Sequence, residues 1–194
     1  MLVAAPIAVF VAVLTFFHCS EFLLAYVYMR DELSITSWLI TKPYATAMAF
    51  AVLEYLVESW ALPGLKVGNG GMGYVSWVGL ALVLLGEGIR KLGMFTAQSN
   101  FTHNIRTTQD PTHVLVTRGI YRYIRHPGYL GWYIWCLGTQ VLLANPACCI
   151  AFAIVVWRFF SMRIQIEEYY LRRFFGAEYS QYAARTPTWI PFIP

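Results

Sequence analysis

"PGYLGWYIWCLGTQVLLANPACCIAFAIVVW", residues 127–157, decides how this chain folds. The apolar runs 128–144 and 146–162 are parted only by Asn145-Pro146. So short a joint cannot link two long independent spans, and the runs read as a tight helical hairpin. Pro146 opens the second arm, because its missing N–H would be unpaired in a first helical turn anyway.

Three further apolar segments lie upstream: 2–27, interrupted by His18-Cys19-Ser20-Glu21, then 43–62 and 74–97. Each supplies the ~20 residues that cross a bilayer. No basic residue precedes the first, so it reads as a transmembrane helix rather than a cleaved signal. The 194-residue chain is 58% hydrophobic and 12% charged, against about 25% charged in soluble domains. Its mean hydropathy is +0.53. Of the 14 Lys and Arg, all but Lys66 fall in 30–42, 90–127 and 158–194. Five crossings put those three regions on one side, the cytosolic one, with the C-terminus. Four or six crossings would spoil that bias.

The expected fold is therefore all-α: a polytopic membrane protein of about five transmembrane helices with a C-terminal hairpin, plus a cytosolic cofactor-binding region. It forms one domain, with helices 1–3 in 1–97 and the core in 98–194. Cys19, Cys136, Cys148 and Cys149 all sit in apolar runs without zinc spacing, so they read as packing residues. The glycine-rich "VGNGGMG" at 67–73 follows no strand and reads as a loop.

Chemistry is expected where charge meets grease. In "TRGIYRYIRHPGYLGW", residues 117–132, Pro127 suits a first helical turn and His126 its cap. Gly128 and Gly131 leave backbone amides open to close approach. A helix start with free N–H groups is an anion site. Arg118, Arg122 and Arg125 fit that site, and equally fit plain anchoring at the membrane surface. Arg163 and Glu167 are four apart and share a helical face. They make either a salt bridge at the membrane edge, or a site in which arginine grips a carboxylate with both arms of its fork. Glu54 and Glu58, the pair Glu87–Arg90, and His18 with Glu21 read as helix–helix partners. His113 to Val116 form a β-favouring run whose extended backbone would hydrogen-bond a nucleobase edge. The tail from Arg158, charged yet aromatic, reads as a helix leaving the membrane.

The strings "GEGIRKLGMFTAQSNFTH", "THVLVTRGIYRYIRHPGYLGWYIWCLGTQ", "WRFF", "EEYYLRRFFGAEYSQYAARTP" and "PFI" resemble, in order, the isoprenylcysteine carboxyl methyltransferase family in its eukaryotic form. The match covers about 80–193, and more loosely 18–66. The resemblance implies an endoplasmic reticulum membrane enzyme, multi-pass, with its active site facing the cytosol. It implies methyl transfer from S-adenosylmethionine, giving S-adenosylhomocysteine, to the C-terminal carboxylate of a prenylated cysteine in CaaX-processed proteins. Ras-like and Rho-like small GTPases and lamins are the implied partners, with the lipid bilayer; nucleic acid and metal are not. Carried over by motif, cofactor contacts fall on Arg106, His113, Val114, Leu115, Val116, Tyr121, His126, Pro127, Gly128, Tyr129 and Glu167. The family often has glutamine where Arg106 stands. Substrate contact falls on Arg163, and Arg163 with Glu167 is the implied catalytic pair.

Three alternatives share parts of the pattern. A methyltransferase of another membrane lipid, acting on a phosphoamine, would want an acidic pocket and no Arg163. A sterol reductase would bind NADPH, with Arg118, Arg122 and Arg125 as phosphate ligands. A non-enzymatic membrane protein would use the long connection as a partner site.

Overall fold

In the computed structural model, residues 4–66 and 72–194 are described. The five apolar segments become α1 (Ala4–Tyr28), α2 (Lys42–Ala61), α4 (Tyr74–Ala97), α5 (Pro127–Leu142) and α6 (Pro146–Arg185). A single turn, α3 (Pro63–Lys66), follows α2. All regular structure among the described residues is helical. Most of the 67–73 loop, residues 67–71, lies outside the described residues.

The hairpin forms as its sequence implies. Pro146 stands in the first turn of α6, and Glu54 of α2 caps that turn, accepting from Ala147 N at 2.8 Å and Cys148 N at 2.6 Å. A carboxylate at a helix N-terminus satisfies orphan donors and faces the positive end of the dipole. Lys66 serves the opposite end of the joint. Its side chain is fully buried and pairs with Glu58 at 2.6 Å. It donates to Leu143 O (2.9 Å), Ala144 O (2.7 Å) and Asn145 Oδ1 (2.9 Å). The carbonyls just past the end of α5 are thus met by a cation, as the dipole favours.

α4 and α5 touch backbone to backbone. Gly79, Gly86 and Gly93 recur every seven residues on α4, facing Gly131 and Gly138 on α5. A Cβ at Gly79 would sit 2.0 Å from Leu142 N, and one at Gly138 2.7 Å from Val83 N. Small residues at this spacing let helices approach closely in a medium that gives no hydrophobic drive for association. The expectation that Gly131 leaves room for an anion is corrected here: its open side is filled by α4, with Arg90 N only 2.6 Å from a would-be Cβ.

Beside this seam Phe17 stacks on Trp135 at 4.3 Å within a core that includes Phe10, Tyr55, Leu142 and Phe152. Outward-facing side chains such as Phe16, Leu23, Phe50, Leu56, Leu84 and Ile154 are exposed. Two helices, Ala5–Tyr28 and Pro146–Arg185, are long and apolar enough to cross a membrane. Apolar outer faces around a closed helical hydrogen-bond system are the exterior of an integral membrane protein.

The buried charges pair across helices, though not all as their spacing suggests. Glu21 is fully buried and accepts from Arg90 Nε at 2.8 Å and Nη2 at 2.7 Å, from Lys91, and from His103 Nε2 at 2.9 Å. Arg90 therefore answers Glu21 and not Glu87. Glu87 instead accepts from Ser20 at 3.2 Å and pairs with Lys91 at 3.2 Å. The remaining arm of Arg90 donates to Gly128 O at 2.9 Å, tying α4 to the first turn of α5. His18 bonds Trp38 O at 2.7 Å and Tyr44 Oη at 2.8 Å.

Arg125 also departs from expectation. It is buried rather than an interfacial anchor. Its Nε donates to Glu168 Oε1 at 2.7 Å, and its other arms reach Ala183 O (2.9 Å), Thr186 O (2.5 Å) and Pro194 O. It thereby straps segment 186–194 against the start of α5.

Candidate active site

The long connection between α4 and α5 folds back over the start of α5 and the inner face of α6, and together they line an open pocket. Every residue that the motif resemblance assigns to a cofactor lines it: Arg106, His113 to Val116, Tyr121, His126 to Tyr129, and Glu167. Arg163 does not line it.

The floor is the helix start. His126 takes the N-cap position and Pro127 the first turn, so the reading of His-Pro as a helix opening holds. The His126 side chain is buried, with Nε2 3.3 Å from Glu168 Oε1. Gly128 leaves no spare room: a Cβ there would meet the Phe101 ring at 3.0 Å.

One wall is the connection itself. The run from His113 to Val116 lies in no strand among the described residues. Its Val114 N–H donates instead to the Asn100 side chain at 2.9 Å. The His113 ring packs edge-on against Phe175 at 5.1 Å and Phe174 at 6.1 Å. Burial, and then the nearby Arg106 guanidinium, hold its imidazole below the usual histidine range. Its Nδ1 is buried without a hydrogen-bond partner among the described residues. Arg106 donates to Ser99 O at 3.0 Å from the rim. Burial first, then the Glu167 carboxylate, push the Tyr121 phenol above its usual range, so it stays a protonated donor.

The facing wall is α6. Glu167, Tyr170, Leu171 and Phe174 are one helical stripe lining the pocket. Glu167 Oε2 accepts from the hydroxyl of Tyr129. Tyr129 Oη accepts in turn from Arg163 Nε at 2.9 Å, and Arg163 Nη2 donates to His103 O. Arg163 and Glu167 therefore make no salt bridge with each other. A tyrosine stands between them, stacked on Phe160 at 5.0 Å. The cation is one hydrogen bond from the pocket lining, through Tyr129, and two from Glu167.

Motif spacing missed Tyr170, Leu171 and Phe174, although their offsets from Glu167 place them on the same face. It also missed Tyr179 and Tyr182, which line the pocket from beyond a kink.

Chemically, the pocket combines a helix start, aromatic walls, an unmet buried imidazole nitrogen and a carboxylate. A polar molecule carrying a flat ring and both signs of charge fits such a lining. Next to it stands a half-buried arginine able to grip an anion arriving from the helix side.

Residues 77–173 match the model of the isoprenylcysteine carboxyl methyltransferase family. A rice relative named probable protein-S-isoprenylcysteine O-methyltransferase is 49% identical over 185 residues, covering 95% of each chain. The human protein-S-isoprenylcysteine O-methyltransferase is 43% identical over 182 residues; these are 93% of this chain but 63% of the human protein. A solved structure, of the eukaryotic intramembrane Ras methyltransferase ICMT, superposes with a TM-score of 0.92 at 38% identity. That match covers 97% of this chain and 67% of the other.

Proposed function

Because the chain belongs to the isoprenylcysteine carboxyl methyltransferase family, we propose that it is a methyltransferase acting on the terminal carboxylate of a prenylated cysteine, with S-adenosylmethionine as donor. The observation that carries this is the hydrogen-bonded line Arg163–Tyr129–Glu167, which joins a guanidinium to a polar pocket.

The pocket's residues fit the donor. Its lining carries aromatic rings, backbone polar groups and a carboxylate, and His113 Nδ1 is a buried polar atom with no hydrogen-bond partner among the described residues. At the start of α5 the Pro127 nitrogen carries no hydrogen and the Tyr129 N–H donates to His126 O, so the Gly128 N–H would receive the donor's carboxylate end. Glu167 and the backbone of His113–Val116 would hold its cationic and ring groups, with Arg106 at the rim. Bound there, S-adenosylmethionine supplies a methyl group on a sulfonium that departs as a neutral thioether, S-adenosylhomocysteine.

The acceptor needs little activation. A terminal carboxylate, of ordinary pKa about 3.3–3.7, is ionised at neutral pH and needs no general base. The donor would supply the methyl group and keep the electron pair of its C–S bond, so the carboxylate oxygen and the methyl carbon need only be brought together. The work left to the protein is to align the two at roughly 3–3.5 Å and exclude water. Arg163 orients the carboxylate, and Tyr129 fixes Arg163 against Glu167. The prenyl chain would enter between helices, since each buried CH₂ favours the apolar phase by about 0.8 kcal/mol.

Residues 1–194 act as one unit in this reading. Five crossings put the pocket on the cytosolic face of the endoplasmic reticulum membrane, where a water-soluble donor meets a lipid-borne acceptor. CaaX-processed proteins such as Ras-like and Rho-like GTPases and lamins are the substrates. The test is radiolabelled S-adenosylmethionine with N-acetyl-S-farnesylcysteine and detergent-purified protein, counting base-labile methyl ester. Label above an Arg163→Ala control supports the reading. Donor binding without label points to another lipid acceptor, and no donor binding defeats it.

A further inference from the structure

The helix α6 is broken once, at Gly176, where φ is +55° and ψ −123°. No atom stands within 4 Å of where a Cβ would be. Glycine is there for its backbone, since L side chains rarely adopt this φ. Beyond the break the last turns run in a new direction, and Tyr179 and Tyr182 come to line the pocket.

The two tyrosines are buried alike, at 1% and 2% exposure. Their hydroxyls fare differently. Tyr182 donates to Tyr121 O at 2.7 Å. Tyr179 Oη is buried and finds no hydrogen-bond partner among the described residues. The Tyr179 ring is held in place, with the Arg172 guanidinium 5.6 Å from its centroid and the Tyr182 ring at 6.0 Å. Its hydroxyl therefore has a fixed direction. Buried hydroxyls in folded proteins are nearly always paired, so an unpaired one on a residue that lines a cavity calls for an explanation. A phenylalanine would fill the same space without the penalty of an unmet polar group.

We propose that Tyr179 is a binding residue for the methyl donor: its hydroxyl donates a hydrogen bond to an oxygen or ring nitrogen of S-adenosylmethionine in the pocket. This rests on the reading of the pocket as the donor site. It also gives the kink at Gly176 a purpose, because an unbroken helix would carry Tyr179 in a different direction.

The full-length protein in detergent, as wild type, Tyr179→Phe and Tyr182→Phe, is measured two ways: S-adenosylmethionine affinity by calorimetry, and thermal melting without ligand. Tyr179→Phe is expected to bind the donor roughly tenfold more weakly, the loss of one well-placed hydrogen bond. It should melt at or above wild type when unliganded, because the hydroxyl it loses was unmet. Tyr182→Phe should melt lower, having lost a bond inside the protein. Equal donor affinity in wild type and Tyr179→Phe overturns the inference alone. So does a drop in the unliganded melting temperature of Tyr179→Phe, which would reveal a partner within the protein. Wild type that binds no donor defeats the reading of the pocket, and this inference with it.

Discussion

Arg163 donates its Nε proton to the phenol oxygen of Tyr129 at 2.9 Å, and that same oxygen passes its own proton toward Glu167. The Arg163 guanidinium and the carboxylate that lines the pocket are thus two ends of one chain of hydrogen bonds. Because Arg163 does not line the pocket, its loss is expected to separate catalysis from donor binding. Arg163→Ala is expected to lower kcat/KM for the prenylated cysteine by about a hundredfold or more, the scale of one charge-assisted contact. Its donor affinity should stay near wild type. Parallel loss of both would place Arg163 in the donor site.

Glu167 stands on the other side of Tyr129 and does line the pocket. Glu167→Ala removes a charge and leaves the Tyr129 hydroxyl without its acceptor, so donor affinity is expected to fall by roughly ten- to a hundredfold. Glu167→Gln keeps an acceptor and should fall between. Calorimetry with S-adenosylmethionine separates the three, and unchanged affinity in Glu167→Ala would remove it from the donor site.

His113 gives the pocket a pH signature. Burial and Arg106 lower its folded-state pKa, so the unfolded chain takes up the proton first, near the ordinary value of about 6.5. Stability from the neutral ring is therefore fully present above that value and is lost as pH falls from it toward the folded value. Wild type should lose more melting temperature between neutral pH and mild acid than His113→Asn does. Parallel profiles would mean that His113 is not held neutral.

Much of this architecture is legible in the sequence because the bilayer imposes a coarse rule: long apolar runs must be helices. The Asn145-Pro146 joint and the His-Pro helix start follow from proline's missing donor. What escapes is pairing across distance. Glu87 and Arg90 are close in sequence, yet Arg90 reaches Glu21 on another helix, where a carboxylate meets its fork with both oxygens. Arg125 looks like a surface anchor until carbonyls some sixty residues on, Ala183 and Thr186, fold back to it. Val114 bonds a side chain, because no strand exists among the described residues for it to pair with. Tyr179 was hidden by a single glycine, whose kink no periodicity reveals.

The glycine seam between α4 and α5 has a built-in control. A Cβ at Gly86 would lie 2.5 Å from both Gly131 O and Trp135 N, backbone atoms that cannot swing aside. At Gly88, on the same helix, nothing stands within 4 Å. Gly86→Ala is expected to destabilise by about 1–3 kcal/mol through overpacking, and Gly88→Ala to be neutral or slightly stabilising because alanine is the better helix former. Melting in detergent compares them, and equal effects would mean that the two helices are not packed at this distance.

Glu21 is the residue on which the remaining order depends. One buried carboxylate meets Arg90, Lys91 and His103, while Arg90 holds Gly128 O and the His103 carbonyl holds Arg163. Glu21→Gln keeps the shape and removes the charge, leaving the buried Arg90 without its counter-ion. Breaking a buried pair in this way destabilises by roughly 3–5 kcal/mol. Replacing both partners, Glu21→Leu with Arg90→Met, should recover part of that, since apolar residues of similar size carry no desolvation penalty. Activity should not recover with it. With its side-chain anchor on Glu21 gone, the His103 carbonyl no longer holds Arg163 in place, and methyl transfer should stay low while donor binding returns. A double variant that regains both stability and full methyl transfer would show that the cluster holds the helices together without positioning Arg163.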